Sequence, residues 1–166
     1  MTVTLRQANS HDLDALYRLE QVAFSGDRFS RRQLWHLLNR AHAVTLVAER
    51  KDAAEGNQRL LGYGILLFRR GSRRARLYSF CVHPEGRGRG LGRRLLVALE
   101  AEARVREAEV LGLEVRADNA VALGLYRRMG FYPERWLGDY YVDGCGGWQM
   151  AKPLEVFLEA APRRAG

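Results

Sequence analysis

The sequence predicts a mixed α/β fold, one sheet carrying helices on both faces, and three observations predict it. Hydrophobic periodicity switches between two and 3.6 residues in the order β-α-α-β-β-β-α-β-α-β-β. The strongest helical stripe, Leu91–Ala108, has a strand pattern on either side. With 166 residues and no repeat, low-complexity tail or shift of composition, residues 1–166 read as one domain, large enough to bury a core without staples.

Thr2–Ala8 alternates as a half-buried strand and stops at Asn9–Ser10. Asp12–Phe24 sets Leu13, Leu16, Leu19, Val22 and Ala23 on one helical stripe, with Ser10 as the expected N-cap. A turn at Ser25–Asp27 leads to a second short helix, capped by Ser30 and turning Leu34, Leu37 and Leu38 inward. Ala43–Glu49 and Leu60–Phe68 are strands joined by the polar loop Arg50–Arg59, which holds Gly56 and Asn57. Arg74–Val82 completes this run of strands. Leu91, Leu95, Leu99 and Ala103 recur at four-residue spacing along the long helix. Leu111–Val115 is a short strand, Asn119–Met129 a helix, and Phe131–Trp136 and Tyr140–Met150 are closing strands.

Composition narrows the function classes. Hydrophobic residues make up 47 % and charged residues 28 %, the balance of a soluble globular protein. The longest apolar run, Leu60–Phe68, is interrupted by Gly62 and Gly64 and is far short of the ~20 residues of a membrane span. Met1–Ser10 lacks the apolar core of a signal peptide, so a cytoplasmic location and reduced Cys81 and Cys145 are expected, with no membrane partner. Neither cysteine falls in a ligand pattern with His11, His36, His42 or His83, and no metal site is expected. The net charge is +8, nearly all from arginine, clustered at Arg69–Arg76, Arg87–Arg94, Arg127–Arg128 and Arg163–Arg164. Such a field draws in a phosphorylated cofactor, nucleic acid or the ribosome, and is equally what an arginine-biased solvated surface would show.

The junction Val82–Gly92 decides among these. His83-Pro84 ends the strand, because proline cannot continue a ladder. Arg87-Gly88-Arg89-Gly90-Leu91-Gly92 then leads directly into the long helix. Its glycines, with Gly86, remove the Cβ atoms that block close backbone approach, and the helix start adds unpaired N–H groups and the positive end of a dipole. Arg87, Arg89 and Arg93 add charge, so the segment suits a pyrophosphate. A Walker loop is excluded because no Gly-Lys-Ser/Thr triplet exists. The Rossmann spacing fails from Gly86, where Leu91 stands, and from Gly88, where Arg93 stands. An arginine–glycine RNA-binding tract would be repetitive and disordered, whereas this one is short and set between strand and helix, so nucleic acid is not the expected partner.

Arg87–Gly92 resembles the R/Q-x-x-G-x-G/A motif of the GNAT superfamily of N-acetyltransferases, and the resemblance extends along the chain. It is closest to the RimI-type protein N-terminal acetyltransferases, which include the ribosomal-protein alanine enzymes. Phe80-Cys81-Val82 falls on that family's pantetheine-binding strand. Leu113-Glu114-Val115-Arg116-Ala117-Asp118-Asn119 and Leu125-Tyr126-Arg127-Arg128-Met129-Gly130-Phe131 follow its second motif, and Tyr140-Tyr141-Val142-Asp143-Gly144 its last hairpin. The resemblance implies a mostly antiparallel sheet of about seven strands splayed around acetyl-CoA. It implies that Phe80, Cys81, Val82, Arg87, Gly88, Arg89, Gly90, Leu91, Gly92, Arg93 and Asn119 hold the cofactor.

Amide formation from a thioester needs a neutral amine and a proton for the departing thiolate. An α-amine titrates at about 7.7–8.0 and lysine at about 10.4, so deprotonating lysine costs roughly 3 kcal/mol more near pH 7. One carboxylate working through a water therefore suits an α-amine. Glu114 lies opposite the apolar face formed by Leu111, Leu113 and Val115. Pattern alone fits a solvated strand residue there and a core tyrosine at Tyr126; the resemblance makes Glu114 the base and Tyr126 the acid. Asn119 also suits an N-cap.

The implied acceptor is the N-terminus of a protein or peptide, a ribosomal protein among the candidates, with Glu20, Asp27, Arg28, Tyr140 and Tyr141 on the acceptor side. The segment Phe24–Arg32 departs from the ribosomal-alanine enzymes, lacking their Phe-Pro-Trp-like stretch. It looks more like acetyltransferases found joined to a cysteine-peptidase-like domain. Transfer to a lysine or small amine, and a non-catalytic RNA- or ribosome-binding module, stand as alternatives.

Overall fold

The computed structural model describes residues 2–24, 28–40, 42–52 and 59–155. The expected turn at Ser25–Asp27, the loop positions Gly56 and Asn57, and Arg163–Arg164 lie outside them. In chain order the elements are β1 (Val3–Gln7), α1 (Leu13–Ala23), α2 (Arg31–Asn39), β2 (Ala43–Arg50), β3 (Leu60–Phe68), β4 (Arg74–Val82), α3 (Leu91–Val105), β5 (Val110–Arg116), α4 (Ala120–Arg128), β6 (Tyr132–Leu137) and β7 (Gly147–Pro153). The strands form one seven-stranded sheet, ordered β1-β2-β3-β4-β5-β7-β6. Every neighbouring pair is antiparallel except β4 and β5, which run parallel around the α3 crossover.

Alternation along the central strands sends successive side chains to opposite layers. Ile65, Val47 and Tyr63 meet Leu16 and Leu19 of α1 and Leu34 and Leu37 of α2. On the other face Leu66, Leu77, Leu111 and Leu113 meet Leu95, Leu96, Leu99 and Ala103 of α3. Each fully buried leucine contributes about 1.5–3 kcal/mol. Glu100 of α3 is buried, and Lys152 of β7 donates to both its carboxylate oxygens at 2.9 and 3.1 Å, so the charge enters the core paired.

Three local expectations are corrected. Ser10 does not cap α1: Asn9 caps a 3-10 turn at Ser10–Asp12, accepting from the His11 amide while Asp12 accepts from the Asn9 amide. Arg6 grips Asp12 through both carboxylate oxygens at 2.8 Å and fixes that register. The α3 helix ends at Val105 rather than Ala108. Glu107 is left-handed (φ 65°), and the bonds Ala108 N–H to Ala103 O and Glu107 N–H to Arg104 O close a Schellman cap without glycine. Last, β7 begins at Gly147. Tyr140 and Tyr141 lie in the preceding loop, closed by Tyr141 N–H to Cys145 O (3.1 Å) and Gly144 N–H to Tyr141 O (2.9 Å).

Candidate active site

The cleft begins where the parallel pair comes apart. Register between β4 and β5 runs from Arg74–Val110 to Leu77–Leu113 and stops, although β4 continues to Val82 and β5 to Arg116. A β-bulge lies at the same place: Ile65 of β3 faces Ser79 and Leu66 faces Leu77, leaving Tyr78 without a partner. A bulge bends its strand and reverses the side-chain alternation beyond it. Arg76 and Tyr78 are exposed, whereas Phe80 turns to the α3 layer and sits 6.3 Å from the Tyr126 ring of α4. Past Leu77 the β4 main chain has lost β5 as a neighbour, which leaves strand donors and acceptors for an amide-bearing ligand arm.

On one side of this opening is the glycine loop. A 3-10 turn at Pro84–Gly86 follows His83, whose Nδ1 accepts from the Glu85 amide at 3.0 Å. Gly88 and Gly90 are left-handed (φ 75° and 72°), a conformation that costs other L-residues roughly 1–2 kcal/mol. The amide N–H groups from Gly88 to Arg93 have no main-chain partner among the described residues; Arg94 is the first to bond back, to Gly90 O. Arg87, Arg89 and Arg93 are exposed along this segment, with Arg87 Nε tied to Val82 O at 3.3 Å, whereas the Leu91 side chain is buried against Ala48 and Leu61. Gly92 faces Leu125, Val82 and Phe80, where a Cβ would meet ordinary contacts of 3.5 to 3.8 Å. Asn119 caps α4 by accepting from the Ala122 amide at 3.1 Å. Cys81 differs from its flanking residues. Its side chain points into the α1–α2 layer, and burial pushes its thiol well above the usual range, so only its main chain faces the cleft edge.

The opposite side carries the acidic and aromatic groups. Glu114 is partly exposed on β5 and accepts from Arg76 Nε at 3.0 Å through Oε2; Oε1 has no hydrogen-bond partner among the described residues. Tyr126 is buried, and desolvation, with smaller contributions from nearby Tyr141 and Cys81, holds its hydroxyl protonated far beyond the usual tyrosine range. Tyr141 is pushed up to about 12, chiefly by burial and then by Tyr140 and Glu114. Its loop is fastened to β5: Arg116 bonds Asp143 at 2.6 and 3.2 Å and Asp118 at 3.0 and 3.1 Å, with its guanidinium 4.9 Å from the Tyr141 ring centroid. Tyr140 is half exposed and meets Tyr141 edge-on at 5.0 Å.

Two acceptor-side expectations need revision. Glu20 is only 1 % exposed. It accepts from the Tyr63 hydroxyl and from the Phe29 amide at 3.3 Å, and the Tyr63 hydroxyl also contacts Ser79 Oγ at 2.8 Å. Glu20 therefore lies beneath the acceptor surface and anchors Phe29, which stacks on Tyr78 at 5.6 Å. Arg28 folds back onto α1, bonding Phe24 O and, at 3.1 Å, Gln21 Oε1. Asp27 lies outside the described residues. Sequence reasoning missed Arg76 and Tyr78, although the alternation Arg74-Ala75-Arg76-Leu77-Tyr78 already set them on the face opposite the core.

A parallel pair that parts beside a nest of free amides admits a long ligand with a phosphorylated end, the form of an acyl-CoA, and the chain belongs to the acetyltransferase (GNAT) family, whose model matches residues 12–131. It is an enzyme of the RimI type. The chain is 31 % identical over 141 residues, 84 % of its length and 87 % of the relative's, to the putative [ribosomal protein bS18]-alanine N-acetyltransferase of Bacillus subtilis (strain 168). The ribosomal-protein-S18-alanine N-acetyltransferase of Escherichia coli superposes with a TM-score of 0.80 at 28 % identity, covering 92 % of this chain and 94 % of that one. The paia N-acetyltransferase of Thermoplasma acidophilum, solved with coenzyme A, shares the fold (TM-score 0.75, 18 % identity, 92 % and 99 % covered). Among the described residues no helix is long and apolar enough to cross a membrane, and no group of side chains is arranged to hold a metal.

Proposed function

We propose that the protein transfers acetyl from acetyl-CoA directly to the N-terminal α-amine of a protein or peptide. The observation that carries this reading is the divergence of β4 and β5 after Leu77 and Leu113, with free amides on one side and Glu114 on the other. Acetyl-CoA, when bound, supplies an activated acetyl group as a thioester. The Gly88–Arg93 amides and Arg87, Arg89 and Arg93 hold its phosphates, while Phe80, Val82 and Asn119 border the arm. Glu114, held by Arg76, takes the proton of an arriving ammonium group through a water. Tyr126, kept protonated by burial, donates to the departing sulfur. Tyr141 borders the place where the amine must stand, and Tyr140 with Phe29 and Tyr78 supplies the surface behind it. Neither described cysteine competes as a nucleophile with a partner base: Cys81 is buried with its thiol pushed up, and Cys145 Sγ faces Gly146 O.

The test is acetyl transfer to peptides of varied first residue, to the same peptides with blocked N-termini but free lysines, and to free amino acids. Transfer to open N-termini is expected. Modification confined to the blocked lysine peptides would overturn the α-amine reading.

A further inference from the structure

A cavity of about 710 Å³ opens beside Glu114 at the paired end of β4 and β5. Besides Glu114, its charged lining consists of Arg40, Arg69, Arg70, Arg74 and Arg76, from the end of α2, the β3–β4 turn and β4. Two of these arginines are committed: Arg76 to Glu114, and Arg74 to Glu134 at 2.8 and 3.1 Å. Arg74 lies flat over β5 because Gly112 has no side chain there; a Cβ would come within 2.5 Å of its guanidinium. Arg40, Arg69 and Arg70 are exposed and have no carboxylate partner among the described residues. The cavity is thus polarised, with one carboxylate at the catalytic end and three uncompensated guanidinium groups beyond it.

We infer that this cavity selects acceptors carrying acidic side chains within the first few residues behind the reactive amine. The inference rests on the α-amine reading and adds the substrate class. The reacting amine must approach the free Oε1 of Glu114, while Arg40, Arg69 and Arg70 favour anions beyond it. A peptide with a free N-terminus followed by aspartate or glutamate does both, and guanidinium groups match carboxylates in bidentate geometry. A nucleic-acid strand supplies the anions but no such amine for Glu114. Each extended residue advances the chain by about 3.3 Å, so side chains two to five residues behind the amine pass the arginines.

The experiment measures kcat/KM at low salt for three lysine-free peptides that share a first residue and carry acidic, neutral or basic residues at positions two to five. The acidic peptide should exceed the neutral one by about tenfold, an advantage that shrinks as ionic strength rises. In the double variant Arg69→Glu, Arg70→Glu the ratio of acidic to neutral kcat/KM should fall to about one or below. Acetyl-CoA binding by that variant reports that it is folded. Equal rates for the acidic and neutral peptides, a preference for the basic one, or faster acetylation of free aspartate or glutamate would overturn the proposal. So would an RNA oligonucleotide that occupies the cavity, shown by inhibition of neutral-peptide turnover that the double variant abolishes. If no peptide amine is acetylated and blocked lysine peptides are, the α-amine reading fails and this inference with it.

Discussion

The two walls of the cleft are built differently. The proposed donor wall is continuous in sequence: the end of β4, the glycine loop and the first turn of α3 follow one another from Phe80 to Arg93, and what it offers is chiefly main-chain N–H groups. The acceptor wall is assembled from distant pieces, Phe29 before α2, Tyr78 at the β4 bulge, Glu114 on β5 and Tyr141 in the β6–β7 loop. A main-chain wall accepts one ligand shape whatever its side chains. A wall of side chains from separate elements can change specificity without disturbing the donor. Variants should therefore separate donor binding from acceptor use, and the degree of separation measures how far the walls are independent.

The largest expected effect lies between them. Glu114→Gln and Tyr126→Phe should each lower kcat by about 10²–10⁴, the range for a lost general acid or base, with acetyl-CoA affinity by titration calorimetry nearly unchanged. Turnover like that of the unmodified protein in both would remove these residues from the mechanism. Next come the glycines of the donor wall. Gly90→Ala must hold φ 72°, and the roughly 1–2 kcal/mol involved should weaken acetyl-CoA binding about tenfold without altering discrimination among acceptor peptides. Gly92→Ala sharpens the test, because its Cβ meets only ordinary contacts in the protein itself. Loss of affinity there reports the close approach of the ligand.

The same division explains what could be read from the residues. Strand and helix identities follow from periodicity, and β3 and β4 match their expected limits residue for residue. The glycine loop is legible because its chemistry is local: a strand stop, glycines at fixed offsets and a helix start all occur within a dozen residues. Tyr140 and Tyr141 read as the start of a strand because adjacent aromatics look the same in a loop; Asp139 and Gly144, both left-handed, mark the turn. The bulge at Tyr78 has no composition signal at all, since it arises from the register of β3 against β4. Glu20 shows the same limit from another side. A charged residue on a helix reads as solvent-facing until the tertiary partners Tyr63 and Phe29 are in place.

Smaller effects belong to the supports of the acceptor wall. Arg116 fastens the Tyr141 loop through Asp143 and Asp118, which makes it a positioning residue in this reading. Its ion pairs are solvent-exposed, which limits their strength. Arg116→Ala should raise KM for the peptide about two- to fivefold and leave KM for acetyl-CoA alone. An equal rise in both would mean that the loop supports the whole cleft rather than one wall.

The smallest effect concerns stability and tests whether Glu20 is a buried support rather than a ligand. Desolvation raises its pKa above the usual carboxylate range, outweighing the hydrogen bonds from Tyr63 and Phe29 and the charge of Arg28, which act the other way. The folded protein then keeps the Glu20 proton to a higher pH than the unfolded chain, whose value is about 4.3. By linkage, its contribution is complete below that value and is lost as pH rises through the raised folded one, at up to about 1.4 kcal/mol per pH unit. Glu20→Gln removes the titration but keeps an acceptor for the Tyr63 hydroxyl. The stability of the unmodified protein minus that of the variant, from urea unfolding at successive pH values, should therefore decline from about pH 4.3 upward. Other carboxylates, Asp12 among them with its pKa lowered chiefly by the Arg6 hydrogen bond, cancel in the difference. A flat difference would show that Glu20 titrates like an exposed carboxylate, and that the segment bearing Phe29 opens far enough for water, and an acceptor, to reach it.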